Sequence, residues 1–154
     1  NSNFVICSGA KSILDLSKKN ELLETLGITR IGYQTNYMPG FWYEETENKV
    51  DNKFDEIHEI SSFLKLNENM GNKKSILIFN KVPLEKALNK NDVEKWINNA
   101  TIKADRNNIS GKELTPFLIK EINEQSKNET LNANVSLIIN NANLAGKIAK
   151  SFYS

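Results

Sequence analysis

The feature that most constrains this chain is its opening run, Phe4-Val5-Ile6-Cys7, an apolar, β-favouring segment that stops at Ser8-Gly9-Ala10 and is followed by Lys11 where a helical pattern begins. A strand that feeds a helix through three small residues opens a βαβ unit, and in open α/β sheets ligands bind outside the carboxyl ends of the strands. The small residues allow a ligand to approach backbone there. An amine at that rim, partly desolvated and near the positive end of a helix dipole, is biased towards its neutral, nucleophilic form. A fully solvated lysine in the same place would be inert, so a nucleophilic reading of Lys11 needs support from the rest of the chain.

Downstream, Ile13, Leu14, Leu16, Leu22, Leu23 and Leu26 fall at helical spacing, and Gly27 supplies the left-handed residue that closes a helix. Ile28 to Tyr33 is a second strand, so the opening predicts a right-handed βαβ crossover with its two strands as a parallel pair. The loop that leaves this strand, from Gly32-Tyr33-Gln34-Thr35 to Met38-Pro39-Gly40-Phe41, lies on the same side of the sheet as Lys11. Asp51 or Asn52 is placed as the cap of a helix with Phe54, Ile57, Ile60 and Leu64 on one face. His58, the only histidine, falls on the opposite face and reads as solvated rather than as a metal ligand. Ser75 to Phe79 is a continuous apolar run and reads as a third, buried strand.

Asn91 or Asp92 is expected to cap a helix carrying Val93, Trp96, Ile97, Ala100 and Ala104 on one stripe. Thr115 and Pro116 are placed at the N-cap and first position of the next helix, with Lys112 close by. The last helix has the cleanest periodicity, and Leu131, Val135, Ile138, Ala142, Ala145, Ala149 and Phe152 are expected to be its buried stripe. Asn134 and Asn141 flank that stripe and need hydrogen-bond partners. The fold class that follows is α/β, a mostly parallel sheet with helices packed on its faces.

A length of 154 residues with 39% hydrophobic content suits one ordinary domain. Twenty basic residues against 19 acidic ones leave a net charge of +1, which gives no electrostatic reason to expect nucleic acid or a membrane surface as partner. The expected partner is a small molecule. Cys7, as the only cysteine, makes no internal disulfide, and no apolar segment is long enough to span a bilayer, so a reducing, cytoplasmic setting is expected.

Three stretches, in one order, resemble the pseudouridine-5'-phosphate glycosidase family, also called the indigoidine synthase A family. Cys7-Ser8-Gly9-Ala10-Lys11-Ser12-Ile13-Leu14-Asp15-Leu16 is similar to a family signature, and Gly111-Lys112-Glu113-Leu114-Thr115-Pro116-Phe117-Leu118 is close to another. The third runs from Leu131 through Asn134 to Leu137, continued by Asn140-Asn141-Ala142. Weaker likeness covers Gly32 to Phe41 and Asn80 to Pro83, with departures at Gly40, at the acidic Glu44-Glu45, at Lys81 and at Leu84. The resemblance implies cleavage of the C–C glycosidic bond of pseudouridine 5'-phosphate to uracil and ribose 5-phosphate. It places Lys11 at the lysine that attacks the anomeric carbon, and Asn134 at a substrate-contacting asparagine. A C-glycoside lacks a basic leaving oxygen or nitrogen, so acid assistance by paired carboxylates is a poor route and a covalent amine adduct a better one.

The resemblance also implies a nucleotide or sugar-phosphate partner, a homotrimer when complete, and a manganese ion in the full-length family whose ligand this chain lacks. The family's proton donor and metal-linked aspartate lie in an amino-terminal half without counterpart here, so residues 1–154 are expected to be the carboxy-terminal portion of one such domain, inactive alone. Two other classes stay open: a non-catalytic module binding ribose phosphate or a nucleobase, and an oligomerisation piece built on the last helix. A Schiff-base aldolase would use the same lysine logic.

Overall fold

In the computed structural model, residues 3–10, 16–72 and 74–154 are described, with backbone alone for 16–19; Lys11 and the residues up to Asp15 lie outside them. The elements run β1 (Phe4–Cys7), α1 (Leu16–Thr25), β2 (Thr29–Tyr33), β3 (Asn52–Phe54), α2 (Ile57–Asn69), β4 (Ile76–Phe79), α3 (Lys90–Arg106), α4 (Leu114–Gln125) and α5 (Glu129–Tyr153). The four strands form one wholly parallel sheet in the order β1-β4-β2-β3. The α/β class read from the sequence is therefore the observed one.

β1 and β2 do run parallel, but they are not neighbours as expected: β4 lies between them, in register with Phe4–Cys7 on one side and Thr29–Gly32 on the other. The reason is burial. Ile76, Ile78 and Phe79 are almost fully enclosed, whereas every residue of β1 keeps some exposure, and the run that tolerates contact on both faces takes the centre.

β3 is not expected from the sequence, which places Asp51 or Asn52 at a helix cap. Asp51 is instead committed to Arg30. The Arg30 backbone N–H donates to its Oδ2 at 2.8 Å, and the guanidinium reaches both carboxylate oxygens at 3.3 and 2.6 Å. This pairing holds Asn52 to Phe54 extended beside β2, and α2 starts only at Ile57. There Glu59 caps it, its carboxylate accepting from the backbone N–H of Glu56 at 3.0 Å. α3 likewise starts earlier than expected, with Asn89 rather than Asn91 or Asp92 accepting the first free N–H groups. α4 begins at Leu114 after a 3₁₀ turn over Gly111–Glu113, so Thr115 is not its cap. Pro116 still lies in the first turn, where a missing N–H breaks no helical bond.

Two apolar cores result. One joins Trp42, Tyr43 and Val82 to Val93, Ala100, Ala104, Leu118, Ile122, Ala133 and Leu137 from the last three helices. The other packs Ile31, Ile76 and Ile78 of the sheet against Ile60 and Leu64 of α2 and Leu144 and Ile148 of α5. α5 belongs to both, and its buried positions are Thr130, Ala133, Leu137, Leu144 and Ile148. The stripe expected to be buried lies roughly a third of a turn away. Leu131, Val135 and Ile138 are each about half exposed or more. Periodicity identified a coherent face but not which face meets the core, since small residues such as Ala133 allow the closer approach.

Arg30 is the main buried cation among the described residues, sandwiched between Asp51 and Glu24, with Nη1 3.0 Å from Glu24. Burial alone would raise the Asp51 carboxyl, but the hydrogen bonds and charge of Arg30 outweigh it and hold the carboxyl below its ordinary range. Asp51→Ala is expected to lower the unfolding free energy by about 1–3 kcal/mol near neutral pH, since it strands a buried guanidinium. Glu24→Ala is expected to cost less, because that carboxylate is 54% exposed. With a folded value below the unfolded one, the contribution of Asp51 is complete above the ordinary carboxylate range and fades as pH falls through the lowered value. Chemical denaturation across acidic pH measures this, and equal losses for the two variants at neutral pH would contradict it.

Candidate active site

At the carboxyl end of β1 the backbone is held from three directions. Ser8 carbonyl accepts from Phe41 N–H at 3.0 Å, and Cys7 carbonyl accepts from Asn80 N–H at 2.9 Å, so the loop after β2 and the end of β4 both clamp this turn. Gly9 has φ +87°, and a Cβ there would fall 1.9 Å from the Pro39 carbonyl oxygen. Only glycine fits between the two loops. Phe41 itself sits at φ +69°, a left-handed conformation rare for an aromatic residue and found where surroundings over-determine the backbone.

The third direction is α5. Ser8 is 1% exposed and Asn80 6%, and both meet the side chain of Asn141. Asn141 Oδ1 accepts from Asn80 Nδ2 at 3.1 Å and from Ser8 Oγ at 3.3 Å, while its Nδ2 lies 3.1 Å from Ser8 Oγ. One residue earlier, Asn140 Nδ2 donates to the Lys81 carbonyl at 3.1 Å. The buried polar groups at these strand ends are therefore satisfied by one turn of helix.

Asn134, placed among the substrate contacts by the family resemblance, accepts from the indole N–H of Trp42 at 2.6 Å. Indole nitrogen only donates, so the oxygen of the amide must face it and the Nδ2 group faces away. That Nδ2 group has no hydrogen-bond partner among the described residues. Trp42 is fully buried and next to Phe41, so Asn134 is tied to the same loop that clamps Ser8. The structure thus brings Asn134, the loop and the Ser8 turn together; Lys11, which follows that turn in sequence, lies outside the described residues. Lys112 and Thr115 are exposed at the start of α4, and His58 is exposed on α2.

Two departures from the family pattern turn out to be partners. Lys81 Nζ is 3.6 Å from Glu44 and 3.5 Å from Glu45, and Glu45 also lies 2.8 Å from the buried Thr35 hydroxyl. The cation at the end of β4 thereby offsets one of the two negative charges of the loop. Beside the turn is a cavity of about 250 Å³ lined by Cys7, Gly9, Ala10, Met38, Pro39 and Phe79 among others. No lysine or arginine among the described residues lines it. Burial pushes the Cys7 thiol up, against the smaller opposing effect of the Gly9 backbone, which makes it a poor nucleophile. Among the described residues no group of three or more His, Cys, Asp or Glu could hold a metal ion, so none of them fits manganese.

The sequence reading gives Ser8 only the part of a small residue that admits a ligand and Asn141 only a need for hydrogen-bond partners, and it gives Asn80 and Trp42 no role. Polar residues adjoining the carboxyl ends of apolar strands were the available signal. The tightness of the turn is testable with a matched control. Gly71 also has positive φ, at +71°, yet a Cβ there meets nothing within 4 Å. Gly71→Ala therefore reports backbone strain alone, about 1–2 kcal/mol, and Gly9→Ala is expected to cost at least ~2 kcal/mol more, as overpacking against backbone does. Thermal or urea unfolding compares them, and similar losses would refute the close approach.

A family model described as indigoidine synthase A like protein matches residues 1–151. Among curated relatives, the pseudouridine-5'-phosphate glycosidase of Kosmotoga olearia is 43% identical over 145 residues, covering 94% of this chain and 50% of that protein. The enzyme of the same name from Staphylococcus aureus is 41% identical over 145 residues, covering 94% and 47%. Among solved structures, the prealnumycin C-glycosynthase AlnA in complex with ribulose 5-phosphate superposes with a TM-score of 0.90 at 26% identity, over 98% of this chain and 50% of that one. An indigoidine synthase A-like protein of Thermotoga maritima gives 0.82 at 32% identity, over 96% and 49%. The chain spans about half the length of the curated relatives it matches. A family model matched over residues 1–151 and the same arrangement of sheet and helices in the two solved structures lead to one conclusion: the chain belongs to the indigoidine synthase A-like family.

Proposed function

We propose that this chain forms the lysine-bearing half of a C-glycosidase acting on pseudouridine 5'-phosphate, with Lys11 as nucleophile and Asn134 as a substrate contact. The observation that carries this is the 43% identity, over 94% of the chain, to a relative named for that reaction. A ribulose 5-phosphate complex of a structural neighbour supports a sugar phosphate as the ligand class. The half-buried Asn134 amide supports the contact: with its oxygen taken by Trp42, it offers N–H donors to a base carbonyl or sugar oxygen.

In this reading the neutral Lys11 amine bonds to C1′ of the ribosyl group as the C1′–O4′ bond breaks and the ring oxygen takes a proton. The nitrogen lone pair then forms a C1′=N iminium as the C1′–C5 bond breaks, and C5 of uracil takes a proton in place of the sugar. Water hydrolyses the iminium to ribose 5-phosphate and restores the amine. The proton donor and any manganese belong to the other half of the domain, and the assembled enzyme is a cytoplasmic homotrimer. Half-length coverage of the relatives supports this division. The apolar Leu131, Val135, Ile138 and Ile139 on α5, left in water here, are a surface such a half would cover. No helix among the described residues is long and apolar enough to cross a membrane.

Borohydride trapping of the native-length protein with ribose 5-phosphate, followed by peptide mapping, tests the assignment. A sugar adduct is expected on Lys11 and is absent in Lys11→Ala, while residues 1–154 alone release no uracil from the nucleotide. An adduct on another lysine overturns the catalytic role, and saturable ribose 5-phosphate binding with no adduct favours the non-catalytic module.

A further inference from the structure

We infer that Asn141 is a positioning residue: its amide sets the Ser8-Gly9-Ala10 turn, and through it the lysine that follows, an inference that rests on the assignment of Lys11 above. Of the three constraints on this turn, two are backbone bonds, from Phe41 to Ser8 and from Asn80 to Cys7. The remaining one is made by side chains alone, and a single amide makes it. Asn141 Oδ1 serves donors from two different strand ends, Ser8 Oγ and Asn80 Nδ2, at 3.3 and 3.1 Å. Both residues are shut off from solvent, so each depends on a protein partner.

Removal of Asn141 therefore leaves a buried hydroxyl and a buried amide without that partner, and the turn loses the side-chain constraint that ties it to α5. Gly9 lets a turn so released shift, because a residue without a Cβ is the least restricted in backbone. A catalytic group displaced by about 1 Å loses up to two orders of magnitude in rate with little change in ground-state binding. The placement of α5 adds a second link. Asn134, two turns earlier on the same helix, fixes Trp42, whose neighbour Phe41 clamps Ser8 from the other side. One helix thus holds both walls of the turn.

The test is the rate of borohydride-trapped adduct formation in the native-length protein over a range of ribose 5-phosphate concentrations. It is read well below the melting temperature of the least stable variant, so that lost stability alone leaves the rate per folded molecule unchanged. Asn141→Ala and Ser8→Ala are each expected to reduce the maximal rate by about 10- to 100-fold, with half-saturation within about twofold. The double variant is expected to be no slower than the slower single one, because both remove the same contact. Unchanged maximal rates, with the wild-type adduct on Lys11, overturn the positioning role and leave the nucleophile assignment standing. Absence of a Lys11 adduct in the wild type overturns both. If Asn141→Ala does not fold, Ser8→Ala alone decides between these results.

Discussion

Two apolar cores in this chain meet along a single helix, and what joins them at the sheet is a buried amide. The carboxyl half of α5 packs on the sheet and α2 through Leu144 and Ile148, and its amino half packs among α3 and α4 through Ala133 and Leu137. Between these patches lie Asn140 and Asn141, whose side chains close the polar ends of β4 and β1. Apolar residues there would leave the Ser8 hydroxyl and the Asn80 amide unsatisfied, at a cost of about 1–3 kcal/mol for each group. Strand ends in a parallel sheet need such partners, because their backbone points out of the ladder and into the region where ligands bind.

From that junction the rest of the rim can be followed outward. The Ser8 carbonyl reaches the loop at Phe41, Gly9 takes up the close approach of Pro39, and Trp42 anchors the loop to α5 through Asn134. Further out, Lys81 draws in Glu44 and Glu45, so that the segment departing most from family pattern is also held by charge. These outer pairs are partly solvated and contribute little individually. Their effect is on loop placement, with the buried Thr35 hydroxyl adding a short contact to Glu45.

Much of this was legible in the residues. β1, β2, β4 and the stripes of α2 and α3 follow from apolar runs and helical spacing. Asn134 was singled out by resemblance, and the structure shows it bound to Trp42, 92 residues away in sequence. What stayed hidden depended on pairings between distant residues. Strand order could not be read, because β4 enters between β1 and β2 for reasons of burial, and β3 exists because Asp51 answers Arg30 rather than capping a helix. The face of α5 was misassigned because hydrophobic periodicity cannot tell a surface that meets its own core from one left uncovered. Asn141 is expected to need hydrogen-bond partners and has them, but helical spacing does not say which groups they are.

The central claim is that the turn after β1 is fixed by bonds from the loop, from β4 and from α5 acting together. Amide hydrogen exchange at Phe41, whose N–H donates to Ser8, and at Asn80, whose N–H donates to Cys7, measures this directly. If the claim holds, both protons exchange only through openings nearly as costly as global unfolding. Exchange at either position as fast as in an exposed loop would show the turn to be loosely held and contradict it.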